Sequence, residues 1–258
     1  MTEITVHKRR LVTLRRFVRS YTPGLYRKLL ASDVARRLFH YLRGEEKLLL
    51  QGDLANRFTL IYEKKAWQVE ESRSGGGSNI YATEKIRATI PKTVEKYHIR
   101  SVLDVPCGDF FWFKEMQLPI EHYIGGDIVS SLIEENSKKF ASATRSFRVI
   151  DITRDALPPS DLLLCRDLFI HLSNSLVICA LRNIADAELT YLLVTHYPDI
   201  AENIDIHPGM HRGVNFCITP FNFPPPLEQL DDYAVGTQFR QLALWRIADL
   251  RPLVARKV

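Results

Sequence analysis

The hydrophobic rhythm of the chain changes near residue 100. Before that point apolar positions recur every three or four residues, the spacing of one helix face. Leu11, Leu14, Phe17 and Val18 form such a stripe with Arg15, Arg16 and Arg19 between them, and Thr22-Pro23-Gly24 breaks it. Val34, Leu38 and Tyr41 form a second stripe, which Ser32 or Asp33 is placed to cap. Residues 52–69 read as a helix with Phe58, Tyr62 and Trp67 as its large apolar members, and residues 83–97 read as another. Between them lies Ser72-Arg73-Ser74-Gly75-Gly76-Gly77-Ser78. Three consecutive glycines do not hold a regular element, so this is a loop, either mobile or approached closely by something.

After residue 100 short apolar runs alternate with helical stretches. Residues 101–105, 123–127, 147–151, 161–165 and 190–195 read as strands, and residues 128–140 and 173–186 as helices. That alternation predicts an α/β fold with a Rossmann-like, mostly parallel sheet covered by helices on both faces. Two late runs, 214–218 and 240–247, have no long helix between them. They predict an antiparallel hairpin that closes the edge of the sheet.

Length and composition refine this picture. A chain of 258 residues fits one domain with an appendage, and 46% hydrophobic with 25% charged residues excludes disordered and fibrous classes. No apolar run approaches the roughly 18 residues of a membrane span, and the first residues show no signal-peptide pattern. The expectation is a cytoplasmic protein. Cys107, Cys165, Cys179 and Cys217 never stand as C-x-x-C, so they read as free thiols rather than zinc ligands or disulfide partners. The net charge of +5 divides unevenly: residues 1–43 hold eleven Lys/Arg against Glu3 and Asp33, a charge of +9, which leaves −4 on the remainder. We therefore read a basic helical extension over 1–50 and a mildly acidic domain over 51–258. The extension is either a helical layer packed on the domain or an interfacial helix that touches anionic lipid at the inner face of the membrane. The acidic domain gives no reason to expect a nucleic-acid partner.

In parallel α/β sheets, ligands bind at the carboxyl ends of the strands. Acidic residues mark three of those ends here: Asp104, in Leu103-Asp104-Val105-Pro106-Cys107-Gly108-Asp109, then Asp127, then Asp151. An acid after the second strand is placed to hold a ribose diol, and one after the third to accept from an adenine amino group. Gly108 allows close backbone approach at the first turn. The turn lacks G-x-G-x-x-G, which argues against a dinucleotide pyrophosphate. The ligand indicated is an adenosine that carries something other than a diphosphate.

These residues resemble those of class I S-adenosylmethionine-dependent methyltransferases. More narrowly they are similar to a bacterial group with an S-x-S-G-x-G-S loop and a D-x-P-C-G-D-x-x-W turn. The resemblance runs over roughly 55–250 and is carried by Trp67, Ser72 to Ser78, Asp104 to Trp112, Asp127, and Cys165 to Leu172. It implies a seven-stranded methyltransferase sheet and S-adenosylmethionine as cofactor. Asp104 and Gly108 would line the methionine end, Asp127 would bind the ribose, and Asp151 with Ile152 would lie at the adenine. Arg73, Ser74 and the glycines from Gly75 on would close over the cofactor, and Trp67, Cys107, Asp109, Trp112 and Arg166 fall on the same motifs. The broad class has three alternating glycines in the first turn, and here Pro106 and Phe110 replace the outer two.

Methyl transfer to a hydroxyl benefits from a general base. Asp167 and His171 stand four apart after the fourth strand, so on a helix they would share a face and the carboxylate would orient the imidazole. His196, directly after the fifth strand, is a second base candidate. His207 and His211 invite a metal reading, but Pro208-Gly209 between them argues against the helix such a pair needs, and no metal is expected. Residues 197–226 read as an acceptor-binding loop. With Trp67, Phe221 and Phe223 as stacking aromatics, the expected acceptor is a hydroxyl of a sugar, glycan precursor or other polar small molecule. Transfer to an amine, and a non-catalytic lipid- or nucleic-acid-binding module, are the alternatives.

Overall fold

A computed structural model describes residues 53–67, 71–233 and 238–254 of the chain. The expected basic helices before residue 50, and their contact with lipid, lie outside the described residues. So does the boundary between the extension and the domain.

Helix α1 spans Leu54–Glu63, shorter than the sequence predicts. The Asp53 carboxylate caps its start by accepting from the Asn56 N–H at 2.9 Å. Phe58, Ile61 and Tyr62 form its buried face. The chain leaves the helix at Lys64 and turns through Lys65 at φ 53°, so Trp67 sits in the following turn and not on the helix. Helix α2 spans Glu84–Lys96 and buries Ile86, Ile90 and Val94 at the i, i+4, i+8 spacing.

The strands are β1 (Ser101–Asp104), β2 (His122–Asp127), β3 (Arg145–Val149), β4 (Ser160–Cys165), β5 (Leu189–His196), β6 (Glu228–Asp231) and β7 (Gln241–Arg246). Helix α3 (Ser130–Phe140) joins β2 to β3, α4 (Asn174–Asp186) joins β4 to β5, and α5 (Ile247–Val254) follows β7. Ser173 caps α4 by accepting from the Leu176 N–H at 3.3 Å. The sheet order is β3-β2-β1-β4-β5-β7-β6. The first five strands are parallel, and β7 runs antiparallel to both of its neighbours. Leu103, Leu163, Leu192, Leu193 and Leu244 on the central strands have no exposed surface. Each such side chain contributes about 1.5–3 kcal/mol by burial.

Two predicted strands shift. The third ends at Val149, so Asp151 stands two residues beyond it in a turn. The first strand of the late hairpin is Glu228–Asp231 rather than 214–218. Val214 and Phe216 are fully buried, but their carbonyls accept single bonds from the Tyr197 and Phe223 N–H groups, at 2.8 Å each, in place of a strand ladder. Asn203 brackets Asn215 by donating to its carbonyl at 2.8 Å and accepting from its N–H at 2.9 Å, and the Phe216 N–H donates to His196 Nδ1 at 3.2 Å. No helix among the described residues is long and apolar enough to cross a membrane.

Candidate functional site

The chain reverses direction across the sheet between β1 and β4, which opens a crevice at their carboxyl ends. A cavity of about 360 Å³ lies there, a size that suits a small-molecule site. Its floor comes from the turn after β1, one side from the ends of β2 and β3, and the other from α1 and the segment after β4.

The glycine loop is tied to the first turn by a compact set of bonds. The Asp109 carboxylate accepts from Ser72 Oγ at 2.9 Å and from the Arg73 N–H at 2.8 Å. In return the Asp109 N–H donates to Ser74 Oγ at 2.8 Å. Gly108 makes this approach possible: its φ is 54°, and a Cβ there would stand 2.5 Å from Ser74 Oγ. Gly108→Val is therefore expected to unseat the loop. Limited proteolysis should cut the variant's segment 71–78 faster than the wild type's, and equal rates would contradict this account of the contact.

Asp127 ends β2 with only 7% of its surface exposed. Its two carboxylate oxygens accept from the Val129 N–H at 3.0 Å and the Gly108 N–H at 3.3 Å. A carboxylate has roughly four acceptor positions, so these amides do not exhaust its capacity for donors. Burial raises its pKa to about 6, against the opposing effect of the backbone amides. Asp151 and Ile152 also line the cavity. One Asp151 oxygen holds its own turn through the Thr153 N–H at 3.0 Å and hydroxyl at 2.6 Å, and the other pairs with Arg154 at 3.1 Å.

Asp104 is placed differently from the expectation. It does not line the cavity but lies beneath the floor, 2% exposed, and accepts from the Tyr123 hydroxyl at 2.8 Å. Burial raises its pKa to about 7, with the Tyr123 hydrogen bond opposing. Cys107 and Trp112 do reach the wall, both largely buried, and the Arg166 guanidinium lies 5.3 Å over the Trp112 ring. Arg73 reaches it from the loop, 4.0 Å over the Tyr62 ring and 3.1 Å from Glu135.

The segment after β4 corrects the expected Asp167–His171 pair. Asp167 adopts φ 58°, and only Phe169–His171 forms a short 3-10 turn, so the two side chains do not share a helix face. The Asp167 carboxylate accepts from Arg240 Nη1 at 3.0 Å on both oxygens and from the Thr195 hydroxyl at 3.2 Å. Burial works to raise its pKa, but Arg240 and Arg166 hold the carboxyl well below the usual carboxylate range. The orienting partner of His171 is a backbone carbonyl: its Nδ1 lies 2.7 Å from the Met210 oxygen. A carbonyl only accepts, so Nδ1 carries the proton and Nε2 is the nitrogen left to take one. Trp67 stacks on this ring at 4.4 Å and 24°. Burial, together with the charge of His211, lowers the His171 pKa to about 4.

His196 is a core residue and not a second base. It is 1% exposed, absent from the cavity wall, and packed against Phe216 and Trp245. Burial lowers its pKa to about 4. Phe221 and Phe223 also fall in the core, against Phe216, so of the three expected stacking aromatics only Trp67 lines the cavity. Among the described residues no group of three His, Cys, Asp or Glu is arranged to hold a metal.

Several wall residues lie outside the motifs that carry the resemblance. Leu54 and Phe58 come from α1, His211 from the long loop, and Arg240 from the residue directly before β7. Arg240 belongs to a buried network. Arg166 donates to both oxygens of Asp232, at 3.0 and 2.9 Å, and to the Gly77 carbonyl at 2.8 Å. Arg240 meets the same Asp232 at 3.4 Å and grips Asp167. The glycine loop is thus latched at both ends, by Asp109 and by Arg166.

Solved structures share this fold. Human N-acetylserotonin methyltransferase, solved in complex with SAM, matches 85% of this chain and 68% of its own at 13% identity, with a TM-score of 0.53. The fold is that of the class I methyltransferases. Magnesium protoporphyrin IX methyltransferase from Synechocystis PCC 6803, solved with bound SAH, matches 75% of this chain and 99% of its own at 10% identity, with a TM-score of 0.54. No protein-family model matches the chain, and no curated protein matches it.

Proposed function

We propose that this protein is an S-adenosylmethionine-dependent methyltransferase that transfers a methyl group to a hydroxyl of a small molecule, with His171 as the general base. The observation that carries the reading is the pairing of a buried, under-used Asp127 carboxylate with a glycine-floored turn at the crevice of a methyltransferase sheet.

These residues fit the cofactor. Asp127 keeps acceptor capacity for the hydroxyls of a ribose. Gly108 and Gly75, at φ 54° and 109°, leave backbone free of side chains where the ligand would lie. Val129, Leu132, Ile150 and Ile152 form an apolar slot beside Asp127 and Asp151 that matches a flat base. When bound, S-adenosylmethionine supplies a methyl group on a positively charged sulfur.

The chain's own part is positioning, exclusion of water and proton removal. The glycine loop, held by Asp109 and Arg166, covers the crevice and orders the two reactants, which is where most of the rate gain in such a displacement arises. His171 Nε2 accepts the proton of the attacking hydroxyl, and the Met210 carbonyl keeps the tautomer that leaves Nε2 open. Asp127 works as an anion, so cofactor affinity should fall as pH drops through about 6. Titration with S-adenosylhomocysteine from pH 8 to 5 checks this, and an affinity independent of pH would contradict the role.

Mass spectrometry of products formed with labelled S-adenosylmethionine tests the activity. An O-methyl product that requires His171 is the expected result. Methylation of nitrogen, unaffected by His171→Ala, would replace this reading with amine transfer.

A further inference from the structure

The part of the cavity around His171 constrains what the acceptor is. Leu54, Phe58, Trp67, Ile170 and Leu172 form its wall. The charged groups beside them are paired with one another: Arg166 and Arg240 against Asp167 and Asp232, two of each sign, so that their charges balance locally. Beside these pairs, the polar side chains that the described residues bring to this end are few: His171, His211 and Ser78. A hexose brings four or five hydroxyls, and each one left without a partner against an apolar wall opposes binding. The side chains that would have made a sugar platform, Phe221 and Phe223, are buried in the core.

We infer that the acceptor is an aromatic hydroxyl, a phenol-like ring that lies against Leu54, Phe58 and Ile170 with its oxygen at His171 Nε2. This rests on the methyltransferase reading. The acid–base chemistry agrees with it. An imidazole with a pKa of about 4 is a weak base. A phenol ionises near 10, whereas an aliphatic hydroxyl is close to water, about 15.7. The uphill proton transfer is therefore roughly six powers of ten for a phenol and about twelve for a simple aliphatic alcohol. In the step itself the phenolic proton moves to Nε2 and the oxygen forms its bond to the methyl carbon. The carbon–sulfur bond breaks with its electron pair left on sulfur, which becomes a neutral thioether.

The test uses the full-length protein with labelled S-adenosylmethionine and two acceptor panels. One contains phenols, catechols and hydroxylated heteroaromatics. The other contains hexoses, nucleotide sugars and glycolipids. The expected result is an aryl methyl ether, with Leu54→Gln raising the KM for the aromatic about tenfold and leaving S-adenosylhomocysteine affinity unchanged. Should no member of either panel turn over, saturation-transfer NMR in the presence of S-adenosylhomocysteine decides. Binding of an aromatic that Leu54→Gln abolishes supports the inference, and the absence of any aromatic binding overturns it. Methyl ethers on sugars with none on aromatics also overturn it, while the methyltransferase reading stands. A protein that binds no S-adenosylhomocysteine at all fails both readings.

Discussion

Asp232→Ala is expected to destabilise the folded protein by about 3–5 kcal/mol. Asp232 has no exposed surface and takes two hydrogen bonds from Arg166 and an ion pair from Arg240. Removing it leaves two buried guanidinium groups facing each other with one carboxylate, Asp167, between them. The variant also frees Arg166 from its seat under the Gly77 carbonyl, so the loss should reach the glycine loop as well. Chemical denaturation of the full-length wild type and variant measures the first effect. Asp232→Asn, which keeps one acceptor oxygen, should lose less. A difference below about 1 kcal/mol for the alanine variant would place the network among ordinary surface ion pairs.

The second large effect is on rate. His171→Ala should lower kcat for a hydroxyl acceptor by about 10²–10⁴, the usual worth of a positioned general base. Its pH profile follows from its surroundings. Burial and the neighbouring His211 and Arg240 depress its pKa, and Asp167 works the other way, with the result near 4. The imidazole is therefore already neutral at pH 5, and kcat should be insensitive to this group from pH 5 to 8. A rise in kcat centred near 6.5 would show that the base is another, ordinary histidine. The same shift affects stability with a definite sign. The unfolded histidine binds its proton near pH 6.5 and the folded one only near 4. The contribution of His171 to stability is thus full above about 6.5 and declines as pH falls toward 4.

The sheet is legible in the sequence because its central strands are continuous apolar runs bounded by turns. Leu162 to Cys165 and Leu192 to Thr195 are buried along their whole length, and such runs have no competing reading between two helices. The edge is not legible for the same reason inverted. In β6 only Leu230 is fully buried, so Glu228-Gln229-Leu230-Asp231 carries almost no apolar signal. Val214 and Phe216 carry a strong one but lie in a loop held by isolated bonds, between Asn203 and Asn215 and between His196 and Phe216. Hydrophobicity reports burial there, not strand pairing.

The site divides along similar lines. Asp109, Gly108, Asp127 and Arg166 fall within short motifs, and those motifs come together at the crevice. The partners that set their chemistry lie far away in the chain. Met210 replaces Asp167 as the group that orients His171, and it acts through a backbone carbonyl that no sequence pattern encodes. Asp167 and Asp232 are claimed by Arg240, over a separation of 73 residues in the first case. Asp104 and His196 have residue types suited to chemistry at strand ends, but β1 and β5 turn their side chains into the core.

The central claim is that this crevice holds an adenosyl cofactor through Asp127. Calorimetric titration of the full-length protein with S-adenosylhomocysteine, in the wild type and in Asp127→Asn, tests it directly. One ligand bound per chain, with affinity lowered at least tenfold in the variant, is the result predicted from a carboxylate that accepts two ribose hydroxyls. No heat of binding in the wild type, or equal affinity in the two proteins, would contradict it.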